Sequence, residues 1–331
     1  MVQEETYLLM REHVAERYRM NWTKSLKDAY ALDPDFLTVD PASIDFLVSN
    51  RETLLELFAD PATFDDLVDL FVELSLEFSY NSNQFIRVSN SNRDRMVQIY
   101  RSYLRGMERL VAQERSTESL SRSMEALVRD HFVELRRYLD DFSAEGLRSG
   151  SQDNVFLASV VCREYSPELQ LSILGIDPSE LPEPILDIGC GKSGQLVRFL
   201  RRLGLAAFGA DRVVEAYDYL MKADWLDLPM EPGSWGTVIS HMGFSNHFIF
   251  QHLYRYGSPE DYARQYAAIL ASLKVGGSFW YTPGLSFVES YLPPQQFSVV
   301  RRRVNLPSAI GDTPAPSAAG NLPYSTQVTK K

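Results

Sequence analysis

The sequence predicts an α/β fold: a mostly parallel sheet with an antiparallel closing hairpin, preceded by an all-α N-terminal domain. Three observations predict it. Residues 1–150 carry apolar residues at spacings of three and four, the helical period. From about residue 185, short apolar runs alternate with helical ones, as in a sheet whose parallel strands are joined by crossover helices. The last two runs, 297–304 and 324–329, alternate with period two and read as an antiparallel pair.

The elements follow in order. Residues 4–18 and 25–30 show the helical period with charges between. Asp40 before Pro41 is an N-cap followed by proline at the first helical position, and the helix continues through Ile44, Phe46, Leu47 and Val48. An amphipathic run reaches Phe58 from residue 50 or 51. Asp60-Pro61 repeats the start signal and opens the run from Phe64 to Phe78, ended by the polar stretch 80–83. Residues 93–112 and 116–142 are long periodic stretches, and no repeat of fixed length suggests a solenoid. Gly146, Ser149, Gly150 and Ser151 give 143–152 a linker composition, which divides the chain into 1–150 and 151–331. Residues 154–175 then read as a helix capped by Gly175 and broken or kinked at Pro167.

Ile185, Leu186 and Ile188 form a short buried strand, Gly189 and Gly191 break it, and Leu196, Val197, Phe199 and Leu200 resume at helical spacing. Strand, glycine turn and helix make the first half of a Rossmann-type unit. The glycines let the backbone turn tightly beside a ligand, and the first helical amides are unpaired and face it. Further strands are expected at 206–211, 219–223, 236–240 and 276–281, with a helix at 258–273 and a short helix within 283–296. The Pro-, Ala-, Ser- and Gly-rich stretch 306–322 reads as an exposed, mobile loop.

The 331 residues are 45% hydrophobic and 23% charged, the balance of a soluble globular chain. The net charge of −11 argues against a general nucleic-acid or anionic-membrane binder. No apolar run is long enough to span a bilayer, and the polar N-terminus is not that of a secretory signal, so a cytoplasmic protein is expected. Cys162 and Cys190 make neither a disulfide framework nor a zinc site, and Cys190 in the glycine turn reads as a small apolar filler. No Cys/His cluster has metal-ligand spacing, and no metal is expected.

Asp187 is the telling residue. A carboxylate at the end of the first strand repels a pyrophosphate and attracts an ammonium group. Asp187-Ile-Gly-Cys-Gly191 resembles motif I of the class I (Rossmann-fold) S-adenosylmethionine (SAM)-dependent methyltransferases. The resemblance covers about residues 155–330 and implies SAM as cosubstrate, its methionine end held at Asp187, Gly189 and Gly191. Asp211, ending the second strand, corresponds to the family's acid on the ribose hydroxyls. Asp224, before Leu228-Pro229, resembles the acid that meets the adenine amino group, with Trp225 either on the adenine face or in the core. Only 13 positions separate Asp211 from Asp224, so the helix usual between them is shortened or absent.

The segment after the fourth strand, from Ser240 to His247, should face the sulfonium, since ligands of open parallel sheets lie at the carboxyl ends of the strands. Ser240 is a candidate for cofactor contact, His241, Asn246 and His247 for acid/base work or orientation. The resemblance also suggests Arg163 for the SAM carboxylate and Tyr165 against the sulfonium. The expected activity is methyl transfer to a small molecule under a helical lid; the sequence leaves oligomeric state open. Two alternatives stand beside it. One is cyclisation of SAM with release of methylthioadenosine, as in nicotianamine or azetidine-carboxylate synthases, whose helical-then-Rossmann architecture is similar. The other is a non-catalytic SAM-binding module.

Overall fold

A computed structural model describes residues 2–22, 24, 26, 28, 31–32, 37–147, 164–254, 259–304 and 324–331. The chain divides into two compact units, Met1–Cys162 and Arg163–Lys331. The expected boundary near residue 150, the segment 154–163, most of 25–30 and the loop 306–322 lie outside the described residues.

In the first unit the described residues form helices α1 (Val2–Met20), α2 (Pro41–Ser49), α3 (Arg51–Ala59), α4 (Pro61–Ser82), α5 (Asn90–Gln113) and α6 (Thr117–Leu147). Their starts are set by local chemistry. The Asp40 carboxylate accepts from Ser43 N–H at 2.8 Å and that of Asp60 from Thr63 N–H at 2.9 Å, each with proline in the next position. Ser89 caps α5 in the same way, accepting from Asn92 N–H. The apolar faces meet in one core, where Leu54, Phe58, Phe64, Leu67, Leu104 and Leu120 are wholly buried. Burying each such side chain contributes about 1.5–3 kcal/mol.

The second unit begins with α7 (Pro167–Leu174), followed by β1 (Ile185–Ile188), α8 (Gln195–Arg202), β2 (Ala207–Asp211), β3 (Leu220–Lys222) and β4 (Trp235–His241). Then come α9 (Phe244–Tyr254), α10 (Pro259–Ser272), β5 (Leu273–Thr282), α11 (Ser286–Glu289), β6 (Phe297–Arg303) and β7 (Tyr324–Lys330). The sheet order is β3-β2-β1-β4-β5-β7-β6; β3 to β5 run parallel, and β7 pairs antiparallel with both β5 and β6. This is the class I methyltransferase type of sheet with its closing hairpin, as the sequence led us to expect.

One local reading is narrowed, and one expectation about length is met. At Pro167 the helical run is broken rather than kinked: residues 164–166 are not helical and the proline starts α7, because Ser166 caps Leu169 N–H and proline is tolerated where the amide has no helical partner. Gly175 ends that helix with φ 70°, the expected left-handed cap. Between β2 and β3 there is no helix; a turn and a bridge between Tyr217 and Leu220 make the crossing, which explains the short interval from Asp211 to Asp224.

Candidate active site

The turn after β1 is built by glycine. Gly189 and Gly191 have φ of 83° and 74°, where side chains are strained. A Cβ at Gly189 would lie 3.4 Å from both the Gly243 backbone and the Trp225 ring, and one at Gly191 would sit 2.9 Å from the Glu164 carboxylate. The glycines thus bring three neighbours against one turn.

The amides of this turn are not bare. Gly191 N–H donates to Asp211 Oδ2 at 3.0 Å, and Ser193 N–H donates to Glu164 Oε1 at 2.8 Å. Gln195 Nε2 donates to the other Glu164 oxygen at 3.1 Å. Two carboxylates therefore occupy positions expected to face a ligand. The cause is electrostatic: α8 has glycine at its N-cap and no side-chain cap, so its positive end recruits an acid from elsewhere in the chain. Glu164 was not singled out by the sequence, since no spacing rule links it to Ser193.

Asp187 is 2% exposed, and Asp211 is also buried. Burial pushes the Asp187 carboxyl up to about 8, with the charge of Asp211 as the second cause. Burial also raises Asp211, against hydrogen bonds from Val213 and Gly191 N–H and the charge of Arg212. Two acids at the carboxyl ends of adjacent strands thus favour the arrival of positive charge. Cys190 packs in the apolar cluster with Leu196, Val197 and Leu220, and its thiol is raised by burial and then by Asp187 and Asp211, so it stays protonated.

Asp224 Oδ1 accepts from Leu226 N–H at 2.9 Å, which fixes the turn after β3. Trp225 is buried in the core cluster, its ring edge-on to His247 at 4.8 Å, and its buried Nε1 has no hydrogen-bond partner among the described residues. His247 is itself buried, and burial lowers it well below the usual imidazole range.

At the end of β4, Ser240 braces the turn: its buried hydroxyl donates to Ile188 C=O at 2.8 Å and accepts from Phe244 N–H at 3.0 Å. The two loops approach through Gly243, where a Cβ would meet Ser240 Oγ at 3.2 Å. His241 is pushed down to about 4 by burial and is neutral at pH 7; its buried Nε2 has no partner among the described residues. Tyr165 lies edge-on to it, ring centres 5.1 Å apart. Asn246 is half-buried in the first turns of α9. Arg163 lies outside the described residues. Met242, which the sequence did not flag, has φ 57° beside His241, a strained backbone at a strand end of the kind found at functional sites.

Glu289, also missed, joins β5 to the hairpin. It accepts from Tyr281 O–H at 3.1 Å, Leu285 N–H at 2.6 Å, Thr326 O–H at 2.9 Å and Arg301 Nε at 2.5 Å. Among the described residues no group of three or more His, Cys, Asp or Glu is placed to hold a metal ion, and no helix is long and apolar enough to cross a membrane.

The strand order and the Asp187–Gly191 turn resemble those of the class I, Rossmann-like SAM-dependent methyltransferases. No family model and no curated protein matches the chain. Among solved structures it is similar to the plantazolicin methyltransferase BpumL in complex with SAH, at 12% identity, 80% of this chain, 99% of that one and a TM-score of 0.33. An rRNA methylase from Streptococcus thermophilus gives 16% identity over 51% of this chain and 99% of that one, with a TM-score of 0.32. At such identities and scores these likenesses carry no argument about fold, substrate or site.

Proposed function

We propose that the chain is a SAM-dependent methyltransferase acting on a small molecule. The observation that carries this reading is the pair of buried carboxylates, Asp187 and Asp211, ending adjacent parallel strands beside a turn of positive-φ glycines. Asp187 would hold the amino group of SAM and Asp211 the ribose hydroxyls, with Gly189 and Gly191 admitting the ligand against the backbone. Asp224 would receive the adenine amino group, and Trp225 and Ser240 would support the nucleoside side. Arg163 would pair with the ligand carboxylate.

SAM supplies an electrophilic methyl group, which passes from sulfur to the acceptor and leaves S-adenosylhomocysteine. The chain's part is alignment and exclusion of water. His241, neutral and with Nε2 unpartnered, would orient the acceptor or take its proton; Tyr165 beside it would present an aromatic ring to the sulfonium, and Asn246 would offer an amide.

Incubation with SAM labelled at the methyl carbon, with and without candidate small acceptors, tests the reading by mass spectrometry. Label in the acceptor with release of S-adenosylhomocysteine supports it. Methylthioadenosine formed without any acceptor would replace it by cyclisation, which no observation here favours.

A further inference from the structure

The helical unit contains a cavity of about 160 Å³, walled by α1, α4, α5 and α6. An apolar cavity of ~150 Å³ is large enough to hold one benzene ring. Its walls are largely aromatic: the Phe71 and Tyr100 rings stack at 5.5 Å, and His131 stacks on Tyr103 at 4.4 Å. Flat rings at such spacing suit a flat guest, to which they present faces and edges.

One corner is polar. The hydroxyls of Tyr18, Ser75 and Tyr100 form a closed triangle: Tyr18 to Ser75 is 2.6 Å, Tyr18 to Tyr100 is 3.0 Å, and Ser75 also bonds Tyr100. Each hydroxyl has one proton and two lone pairs. A closed triangle uses all three protons and leaves lone pairs over, so the corner can accept a hydrogen bond but has none to donate. The cavity's tyrosines and histidine are held neutral by burial, while Arg17 and Arg136 also line it; Arg17 donates to Thr38 C=O at 2.7 Å and lies 3.9 Å from the Asp40 carboxylate, so its charge is already met. Burial raises Tyr18 and Tyr100, raises Tyr103 to about 12 and lowers His131 to about 3. The buried His131 Nδ1 has no hydrogen-bond partner among the described residues, an unsatisfied polar atom in the cavity wall. A cationic guest would lose its hydration with no acid among the described residues of the wall to meet it, and an anionic one would have to compete with Asp40 for Arg17.

We propose that the helical unit is itself a binding site for an uncharged aromatic ring of phenol or indole size that carries one O–H or N–H donor, seated against the Tyr18–Ser75–Tyr100 hydroxyl corner. Nothing in this site depends on SAM, so it stands or falls apart from methyl transfer.

The test uses the full chain with ¹³C-labelled histidine rings. The sequence has five histidines, and the His131 signal is assigned by its loss in His131→Gln. Titration with phenol and with indole should move that signal saturably. Toluene, which lacks the donor, should bind about three- to tenfold more weakly, the worth of one neutral hydrogen bond. Benzoate should not move it. Val128→Phe, which fills the cavity, should abolish the phenol response with helicity retained. The proposal is overturned if no neutral ring moves the His131 signal saturably, if benzoate binds as tightly as phenol, or if folded Val128→Phe keeps full phenol affinity. Should that variant fail to fold, the ligand series on the unaltered chain decides.

Discussion

Gly191 N–H donates to the Asp211 carboxylate at 3.0 Å, so the glycine turn after β1 is tied to the acid that ends β2. Burial raises Asp187 at the end of β1, and the charge of the same acid raises it further. The turn, the two strands and the charge that would receive a cation are therefore one unit, and changes to any part should be read in the others.

Asp187→Asn should raise stability and weaken ligand binding together. The folded value of Asp187, about 8, exceeds its ordinary 3.8, so between those values the folded chain holds a proton that the unfolded chain has lost. Its contribution favours folding at low pH and is lost as pH rises toward 8. Asparagine removes that penalty. At pH 7.5 the melting temperature should rise by several degrees, at about 2–4 °C per kcal/mol. Affinity for S-adenosylhomocysteine, read by calorimetry, should fall about 10- to 100-fold, the worth of a charge-assisted hydrogen bond.

Binding of S-adenosylhomocysteine should tighten as pH rises from 6 to 8. The ligand ammonium needs Asp187 ionised, and below about 8 a proton must leave first. Affinity should gain about tenfold per pH unit below pH 7, less between 7 and 8, and level off above pH 8. Calorimetry in buffers of different ionisation enthalpy should show proton release at pH 7, and Asp187→Asn should abolish both effects.

Gly191→Ala and Gly204→Ala separate backbone strain from site geometry. Both glycines have positive φ, 74° and 88°. A Cβ at Gly191 meets Glu164, whereas one at Gly204 meets nothing within 4 Å. Each substitution should cost about 1–2 kcal/mol of stability through the left-handed backbone. Only Gly191→Ala should lose S-adenosylhomocysteine affinity, by more than about tenfold, as equilibrium binding will show.

Glu164→Ala should remove the acceptor for Ser193 N–H and leave the start of α8 uncapped. The expected loss is about 0.5–2 kcal/mol, read from denaturant midpoints. Glu164→Gln, which keeps an acceptor oxygen, should recover most of it.

His241→Gln should lower the methyl-transfer rate about 100-fold or more while leaving S-adenosylhomocysteine affinity within about twofold. With the imidazole pushed down to about 4, the rate carried by His241 should show no acid limb between pH 5 and 7. A limb near 6.5 would mean that the ring is solvated.

Much of the fold was legible because each signal was local. Asp40-Pro41 and Asp60-Pro61 start helices through their own side chains, and the Gly189–Gly191 pair marks a turn whichever helix follows. The short interval from Asp211 to Asp224 announced a missing helix by length alone. What stayed hidden depends on contacts across the fold. Glu164 reaches Ser193 from 29 positions away, Glu289 collects partners from three strands, and the strain at Met242 comes from its place at a strand end. At Pro167 the sequence left a break and a kink open, because a proline inside an apolar run looks the same whether it ends a helix or begins one.

The most direct measurement is a crystal structure with S-adenosylhomocysteine bound. The ligand's amino group should lie within hydrogen-bond distance of Asp187, with the ribose hydroxyls on Asp211. A nucleoside seated away from the Asp187–Gly191 turn, or an Asp187 carboxylate with no contact to the ligand's amino-acid end, would contradict the proposed seat of the cosubstrate.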